Sequence, residues 1–165
     1  MSDTDGYLSW VALYVKPRHE KTIAVNLESK GHQVFLPLFT RRYDSGKKAE
    51  LPLFPSYVFC HVDTTRLLPV MMVPGVFSVV GNGSEPIPIP NEEIDRVKKF
   101  TQSGFGAQPW PYVSPGQEVK LVSGPLRGVT GVVIDTRSHK WLVVSINLLQ
   151  RSIAVRIERD AVDRG

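Results

Sequence analysis

Cys60 and His61 are adjacent residues whose side chains could serve as a nucleophile and its base. They fall in a predicted strand, where neighbouring side chains point to opposite faces, so they cannot readily form a catalytic pair. The sequence also contains no glycine-rich phosphate loop and no cluster of carboxylates. It therefore predicts a protein that is not an enzyme, in which Cys60 is a small buried apolar residue.

Residues that could ligate a metal are scattered along the chain. The single cysteine excludes an internal disulfide, and the four histidines have no cysteine partners at zinc-site spacing. We therefore expect no metal and no cofactor. The polar, acidic N-terminus does not resemble a signal peptide, and no apolar run reaches the roughly 18 residues that span a bilayer. These features predict a cytoplasmic protein that does not engage a membrane.

Residues 51–62 contain the most informative pattern in the chain. After two prolines, Tyr57, Phe59 and His61 alternate with smaller apolar residues, as in a strand with one aromatic and one aliphatic face. If the aliphatic face lies in a core, the aromatic face points outward, with Phe54 and Pro55 at its edge. A rigid aromatic patch of this kind suits binding to another macromolecule. The alternative is a sheet that buries both faces.

Positive charge is concentrated in one part of the chain. The protein as a whole has a net charge of +4, but residues 16–48 contain eight basic and three acidic side chains, which leaves +5 locally. This asymmetry is compatible with a phosphate backbone as a neighbour. It is equally compatible with a solvated face and a flexible basic loop.

The first hundred residues alternate between strand and helix patterns. Short apolar runs predict strands at 10–15, 33–38 and 76–80, in addition to the strand that begins at Tyr57. Helices are predicted from about Arg18 to Gly31 and from Asn91 to Gly104. Residues 39–52 are polar and basic, which predicts a long loop or a loose hairpin, and residues 65–72 are predicted to form a short helical or irregular piece.

The pattern changes after Gly104. Residues 104–116 contain three prolines and three glycines, which exclude a helix or a central strand and predict a linker. Four short strands joined by tight turns are then expected at 117–122, 129–136, 141–146 and 151–157. Such a series is typical of a small barrel, because closure removes exposed edges. The predicted domains are 8–104 and 116–163, joined by a linker at 105–115.

Four segments carry a resemblance to a known family. Residues 10–20, 53–59 and 73–76 resemble the N-terminal (NGN) domain of NusG-type transcription elongation factors, and residues 115–132 look like their C-terminal KOW module. The resemblance covers about residues 9–160 in the family's domain order. It implies an α+β fold: a sandwich-like domain with a mainly antiparallel sheet, followed by an SH3-like all-β barrel. Residues 143–152 are further similar to the specialised RfaH and UpxY-type antiterminators.

The resemblance also implies partners and binding residues. NGN domains dock on the clamp helices of RNA polymerase through an apolar patch, and the matching positions here are Phe54, Pro55, Tyr57 and Phe59. A second region of these domains faces upstream or non-template DNA. The residues that match it, or extend it, are Lys16, Arg18, His19, Arg41 and Arg42.

In the KOW module, Gly124 and Gly128 are predicted to be turn glycines with a structural role. Leu148 and Leu149 fall in the turn between the last two strands, where the family places an apolar side chain that meets a ribosomal protein or the termination factor Rho. The alternative is that the two leucines only close the end of the barrel.

Together, these features predict a monomeric elongation or antitermination factor that binds RNA polymerase, suppresses pausing or termination, and recruits a second partner through its KOW domain. The alternative is a ribosome- or RNA-binding KOW protein that does not act on polymerase. Such a protein has no need of an exposed aromatic patch in its first domain.

Overall fold

The computed structural model describes residues 8–114 and 116–158. Within them, residues 8–36 and 54–91 form one compact unit, and residues 37–53 and 92–158 form a second. Pro115 and the predicted end of the second domain at residue 163 lie outside the described residues. The strands and helices follow in the order β1 Leu8–Val15, α1 Glu20–Ser29, β2 Gln33–Phe35, β3 Leu38–Arg42, β4 Lys48–Pro52, β5 Tyr57–Asp63, α2 Leu68–Met71, β6 Val76–Val79, β7 Gly81–Asn82, β8 Glu85–Pro86, α3 Asn91–Gln102, β9 Gln108–Trp110, β10 Val119–Lys120, β11 Thr130–Asp135, β12 Lys140–Ile146 and β13 Arg151–Ile157.

The first unit is built on a four-stranded antiparallel sheet in the order β2-β5-β1-β6. One face of the sheet packs against α1 and α2. Every second residue of the strands is aliphatic on this face, and so is the stripe of α1 that covers it. This packing confirms the predicted burial of Cys60, where burial raises the pKa of the thiol to about 12. The core residues include Val11, Leu13, Val15, Ile23, Leu27, Val58, Cys60, Val62, Val70 and Val73.

The first helix begins at Glu20, two residues later than the sequence predicts. Arg18 has a φ of 68°, in the left-handed region, so it cannot belong to a right-handed helix. The chain therefore makes a sharp change of direction between β1 and α1. This turn presents Lys16, Arg18 and His19 at the surface.

In the second unit, residues 38–52 form a regular hairpin of β3 and β4, in place of the loop or loose hairpin that the sequence predicts. A turn closes it, with the amide of Gly46 donating to the carbonyl of Tyr43 at 2.9 Å. Gly46 has a φ of 84°, which glycine adopts at little cost.

The second unit also contains a five-stranded antiparallel sheet in the order β10-β11-β12-β13-β9. The four strands predicted after residue 116 are all present, and the sheet resembles a small β-barrel. The predicted α+β class with mostly antiparallel sheets is therefore confirmed. Gly124 and Gly128, with φ of 81° and 90°, occupy the predicted turn. Strand β9 comes from the predicted linker and lies at the sheet edge, where Pro109 is tolerated.

Helix α3 lies where the sequence predicts it and has an apolar stripe, in which Ile94, Val97 and Phe100 are all buried. Glu93, on the first turn of this helix, is buried as well. None of the helices in the described part of the chain is long and apolar enough to cross a membrane.

Candidate docking surface and nucleic-acid contacts

Two of the four predicted docking residues are buried. Phe54 is 1% exposed and Phe59 is 0% exposed, so the prediction that these rings face solvent is wrong. The reason is local packing: the ring of Phe59 lies 5.4 Å from that of Phe54 and 6.2 Å from that of Phe35, measured between centroids. The other two residues remain accessible, since Pro55 is exposed and Tyr57 is half-buried.

A row of three rings, two exposed and one half-buried, lies beside this buried cluster. Tyr14 on β1 is 41% exposed, and Phe77 on β6 is 56% exposed. The ring centroid of Tyr14 lies 5.9 Å from that of Tyr57 and 5.6 Å from that of Phe77. We call these three residues, on three adjacent strands, the aromatic strip. Its rings have the spacing of interacting aromatic pairs and present a continuous apolar surface.

Sequence reasoning missed Tyr14 and Phe77. The alternation of side chains along β1 could have identified Tyr14. It lies between the buried Leu13 and Val15, so it points away from the aliphatic core. Parity alone does not reveal that Tyr14 pairs directly with Tyr57 across β1 and β5. The placement of Phe77 depends further on a register shift between β1 and β6 after Tyr14.

The turn before β5 fixes the position of Tyr57. Ser56 has a φ of 71°, which is uncommon for a residue other than glycine. Its amide donates to Oε2 of the buried Glu20 at 2.9 Å, and its carbonyl accepts from the amide of Val15 at 2.9 Å. The amide of Tyr57 in turn donates to the carbonyl of Phe54 at 3.1 Å. Helix α1 and strand β1 thus both hold the turn.

The structure brings together three of the predicted nucleic-acid residues. Lys16, Arg18 and His19 are exposed on the turn between β1 and α1. The amide of Lys16 donates to the carbonyl of Gly75 at 2.8 Å, and the amide of His19 donates to the carbonyl of Lys16 at 3.1 Å. These backbone bonds fix the turn and leave its side chains at the surface.

Arg41 and Arg42 are exposed on strand β3, in the second compact unit. The guanidinium carbon of Arg41 lies 5.1 Å from the ring centroid of Tyr43, within the range of a cation–π contact. Neighbouring residues of a strand point to opposite faces, so Arg42 lies on the other face of the hairpin.

The two leucines predicted for partner binding both lie in a short 3₁₀ turn, Asn147–Leu149. Leu149 is only 8% exposed, which matches the alternative that it closes the end of the sheet, whereas Leu148 is half-buried. The turn is anchored at Asn147. Its amide donates to Oε1 of Glu93 at 3.0 Å, its Nδ2 donates to Oε2 of Glu93 at 3.2 Å, and its Oδ1 accepts from the hydroxyl of Tyr112 at 3.1 Å.

Burial raises the pKa of the Glu93 carboxyl above its ordinary value, and the two hydrogen bonds from Asn147 oppose that shift without cancelling it. Within residues 8–114 and 116–158, no group of three or more His, Cys, Asp or Glu side chains is placed to hold a metal ion.

Comparisons with known proteins agree with this organisation. A family model described as transcription termination factor NusG matches residues 8–98. Transcription termination/antitermination protein NusG of Yersinia pestis is 30% identical over 125 residues, which cover 72% of this chain and 68% of that protein. NusG of Escherichia coli (strain K12) is 28% identical over 148 residues, covering 84% and 81%. A solved structure of Thermotoga maritima NusG has a similar fold, with a TM-score of 0.58 at 22% identity, covering 95% of this chain and 97% of that one.

Proposed function

The chain belongs to the NusG family of transcription factors, and we propose that it acts as an elongation or antitermination factor that docks on the clamp helices of RNA polymerase. The observation that carries the proposal is the aromatic strip, formed by Tyr14, Tyr57 and Phe77 on three adjacent strands. Large rings that remain exposed beside one another are costly in water and typical of a protein interface.

In this proposal the predicted docking residues divide into two roles. Tyr57 and Pro55 are accessible and contact the polymerase together with Tyr14 and Phe77. Phe54 and Phe59 do not contact the polymerase. Their rings are buried and pack against each other, and they fix the strand that carries Tyr57. A rigid platform loses little conformational entropy on binding, which favours affinity.

Upstream or non-template DNA is the second proposed partner. Lys16, Arg18 and His19 project from one turn that backbone hydrogen bonds hold in place. Contacts from such side chains to phosphates are mostly independent of base sequence and weaken with salt. They orient the factor on the transcription complex after the aromatic strip has docked.

The mechanism we propose is a shift of population. A factor that binds the closed clamp more tightly than the open or swivelled clamp disfavours the states that pause or terminate. The C-terminal sheet recruits a ribosomal protein or Rho, and the half-buried Leu148 is the more accessible of its two leucines. Recruitment through a tether raises the effective concentration of the second partner.

Residues 143–152 favour a specialised antiterminator of the RfaH or UpxY type within this family. By the resemblance, Leu149 is the closest match to a position where housekeeping members carry an aromatic side chain. An operon-specific factor with altered recruitment is therefore our proposal for the biological role. This proposal is tested by comparing transcription of one long operon in a deletion strain with transcription of unrelated operons in the same strain.

The experiment that tests docking is co-purification of RNA polymerase with the full chain and with Tyr14→Ala and Phe77→Ala variants. We expect each variant to lose most of the bound polymerase, because truncating an interface aromatic costs about 2 kcal/mol or more. Phe105→Ala is the matched control, since this ring is also exposed but lies in the second unit. Equal recovery of polymerase with all four proteins contradicts the proposal.

The alternative function, a ribosome- or RNA-binding protein that ignores polymerase, leads to a different result. It predicts co-sedimentation with ribosomes that is unchanged by Tyr14→Ala and no enrichment of polymerase subunits with the unmodified chain. The aromatic strip argues against it, because such a protein has no use for a row of accessible rings on its first sheet.

A further inference from the structure

The segment after α3 binds the C-terminal sheet through a pair of aromatic rings. We call residues 108–113 the strap. Its strand β9 pairs with β13, with Trp110 opposite Ser152. The indole ring of Trp110 stacks on that of Trp141 from β12, with 5.0 Å between ring centroids and an interplanar angle of 39°. This is the spacing of an attractive aromatic pair, and both residues are half-buried.

The two rings shield a row of small side chains on the sheet. Val143 pairs with Ala154, and this row lies between the row of Trp141 and the row of Trp110. Val143 is 1% exposed and Ala154 is 0% exposed. Because side chains alternate along a strand, they lie on the opposite face from Leu142. We call the face with Trp141, Val143 and Ala154 the outer face. Rings that meet across this row exclude water from it.

Two serine hydroxyls bind the backbone of the strap. The amide of Val113 donates to Oγ of Ser152 at 2.9 Å, and the hydroxyl of Ser145 donates to the carbonyl of Val113 at 2.8 Å. Ser145 and Ser152 are cross-strand partners whose Oγ atoms lie 2.6 Å apart. Each hydroxyl has one proton, so all three bonds form only if Ser152 donates to Ser145. The result is a closed ring of hydrogen bonds, an arrangement in which each bond polarises the next.

The strap also contacts the turn that is proposed to recruit a partner. The hydroxyl of Tyr112 donates to Oδ1 of Asn147 at 3.1 Å. Asn147 is the first residue of the turn that contains Leu148. The strap thus presents a ring at Trp110, a second ring at Tyr112 and a bound backbone at Val113. Peptide-recognition sites combine side-chain and backbone contacts of this kind.

The sequence of the strap favours its bound conformation. Pro109 and Pro111 fix φ near −65°. Gln108 and Trp110 each precede a proline, which biases their backbone toward the extended region. A segment that is already extended loses less conformational entropy when it binds.

The strap is nevertheless bound more loosely than an inner strand. β9 pairs with only three of the seven residues of β13, and one of the three is Pro109, which has no amide to donate. Pro109, Pro111 and Tyr112 are exposed. The buried residues on the face of Leu142 do not depend on the strap. Local release therefore costs less than unfolding of the sheet.

We propose that the outer face is a peptide-binding site for an extended segment with alternate aromatic rings and prolines, and that the strap occupies it in cis. The docked strap leaves residues 103–107 as the tether between α3 and the sheet, in place of the predicted 105–115. At about 3.5 Å per extended residue, the reach falls from about 38 Å to about 18 Å. The inference deepens the proposed function and rests on it for its consequence, because a shorter tether holds a recruited partner at a higher effective concentration.

The test is limited proteolysis of the full chain with chymotrypsin, which cuts after large aromatic residues. The bond between Tyr112 and Val113 reports docking, since the bound strap engages both backbone groups of Val113. Phe105 is 41% exposed outside the strap and provides an internal reference. Mass spectrometry of the first fragments measures the two cleavage rates. We expect Trp141→Ala to raise cleavage after Tyr112 at least about tenfold relative to cleavage after Phe105, because it removes the ring that the strap stacks on.

Two further variants make this test specific. Trp110→Ala removes the other ring of the pair and should raise the same ratio to a similar extent, and it serves also if Trp141→Ala does not fold. Val122→Ala removes an exposed apolar side chain beside β10, at the opposite edge of the sheet from β9, and should leave the ratio unchanged. Circular dichroism verifies that each variant is folded. The proposal is overturned if either folded tryptophan variant keeps the ratio of the unmodified chain.

A labelled peptide with the sequence of residues 106–114 tests the site in trans by fluorescence anisotropy. It should bind the Trp110→Ala chain at least about tenfold more tightly than the unmodified chain, whose own strap competes with it. Adding Trp141→Ala to the Trp110→Ala chain should abolish this binding. Equal affinity for all three proteins overturns the peptide site. Protection of the Tyr112–Val113 bond that rises with protein concentration overturns occupation in cis, because the strap would then come from a second copy.

The outcome is independent of the docking test. Neither measurement contains polymerase, and the strap variants keep Tyr14, Tyr57 and Phe77. Unchanged cleavage in the tryptophan variants overturns this inference alone. Equal recovery of polymerase with Tyr14→Ala contradicts the proposed function and leaves the binding of the strap as it is.

Discussion

Oε2 of Glu20 accepts a hydrogen bond from the amide of Ser56 at 2.9 Å. Glu20 is the first residue of helix α1 and is buried, whereas Ser56 holds a left-handed backbone conformation just before β5. The carboxylate thus compensates a strained turn from 36 residues away in the sequence. Because Tyr57 follows immediately, this bond links the first helix to the position of the aromatic strip.

Replacing Glu20 by Ala should destabilise the first unit. The amide of Ser56 would lose its charged acceptor, and hydrogen bonds to charged groups contribute about 2 kcal/mol. We expect a loss of that size in the free energy of unfolding, measured by urea denaturation followed by circular dichroism. Glu20→Gln keeps a carbonyl oxygen as acceptor and should lose about half as much.

The matched control is Glu28→Ala, which removes an exposed carboxylate from the same helix. Surface substitutions of this kind usually change stability by less than about 0.5 kcal/mol. If Glu20→Ala and Glu28→Ala were equally stable, the bond to Ser56 would contribute nothing to holding the turn.

Phe59→Ala should lower the stability of the protein, and because the ring is buried this variant does not test docking. The ring is fully buried against Phe54 and Phe35, so its removal leaves a cavity, at a cost of about 3–5 kcal/mol. Tyr57→Ala, at a half-buried position, should cost about 1 kcal/mol. Thermal unfolding of the two variants side by side measures the difference. Equal midpoints would mean that Phe59 does not belong to the core.

The strands of this protein were largely predictable because their patterns are local. The alternation at 57–62 placed Val58, Cys60 and Val62 in the core correctly, and it assigned Phe59 to the opposite face correctly. It could not show that this face is itself covered at Phe59, since the covering rings of Phe35 and Phe54 come from other segments. Burial at position 59 depends on tertiary packing, and the alternation of residues along a single strand does not report it.

The candidate site could be predicted only in part, because it too depends on which strands pair with one another. Tyr57 was identified from its own strand, but Tyr14 and Phe77 become its neighbours only through the pairing of β1 with β5 and β6. The hairpin at 38–52 gave no clear strand signal, because each strand has only five residues and the apolar and charged residues of β3 do not alternate. Register, which places Arg42 opposite Lys48, cannot be read from composition.

Stability should depend on pH through Glu93. Burial holds the folded-state pKa of this carboxyl above its unfolded value, so folding favours the protonated form. Its contribution to stability is therefore greatest below the unfolded pKa and is lost as the pH rises through the folded pKa. Glu93→Gln cannot ionise, so we expect the unmodified chain to lose stability relative to this variant as the pH rises from about 4 to 7. Urea denaturation at several pH values measures it.

The control for this experiment is Asp135→Asn, which removes an exposed carboxylate from strand β11 of the same unit. A Glu93→Gln difference that stayed constant with pH would contradict the raised pKa of Glu93.

Cys60 should be inert in the folded chain. Burial raises the pKa of its thiol to about 12, so near pH 8 the reactive thiolate is scarce as well as inaccessible. We expect a disulfide reagent such as 5,5′-dithiobis(2-nitrobenzoate) to react at least about a hundredfold more slowly with the native chain than with the urea-unfolded chain. Because the sequence has a single cysteine, the released thiolate reports this site alone. Rapid labelling of the native chain would contradict the burial of β5.

Gly75→Ala should destabilise the first unit for two separable reasons. Gly75 has a φ of 92°, and a Cβ there would lie 2.7 Å from Cδ1 of Ile23 in the core. Gly31→Ala isolates the first reason, because Gly31 has a φ of 88° but nothing within 4 Å of an added Cβ. Strain alone should cost about 1 kcal/mol in both variants, and overpacking should add about 1–3 kcal/mol to Gly75→Ala. Urea denaturation of the pair measures the difference. Equal losses of stability would show that Ile23 moves aside freely, so that its packing against Gly75 does not restrain the adjacent turn of Lys16.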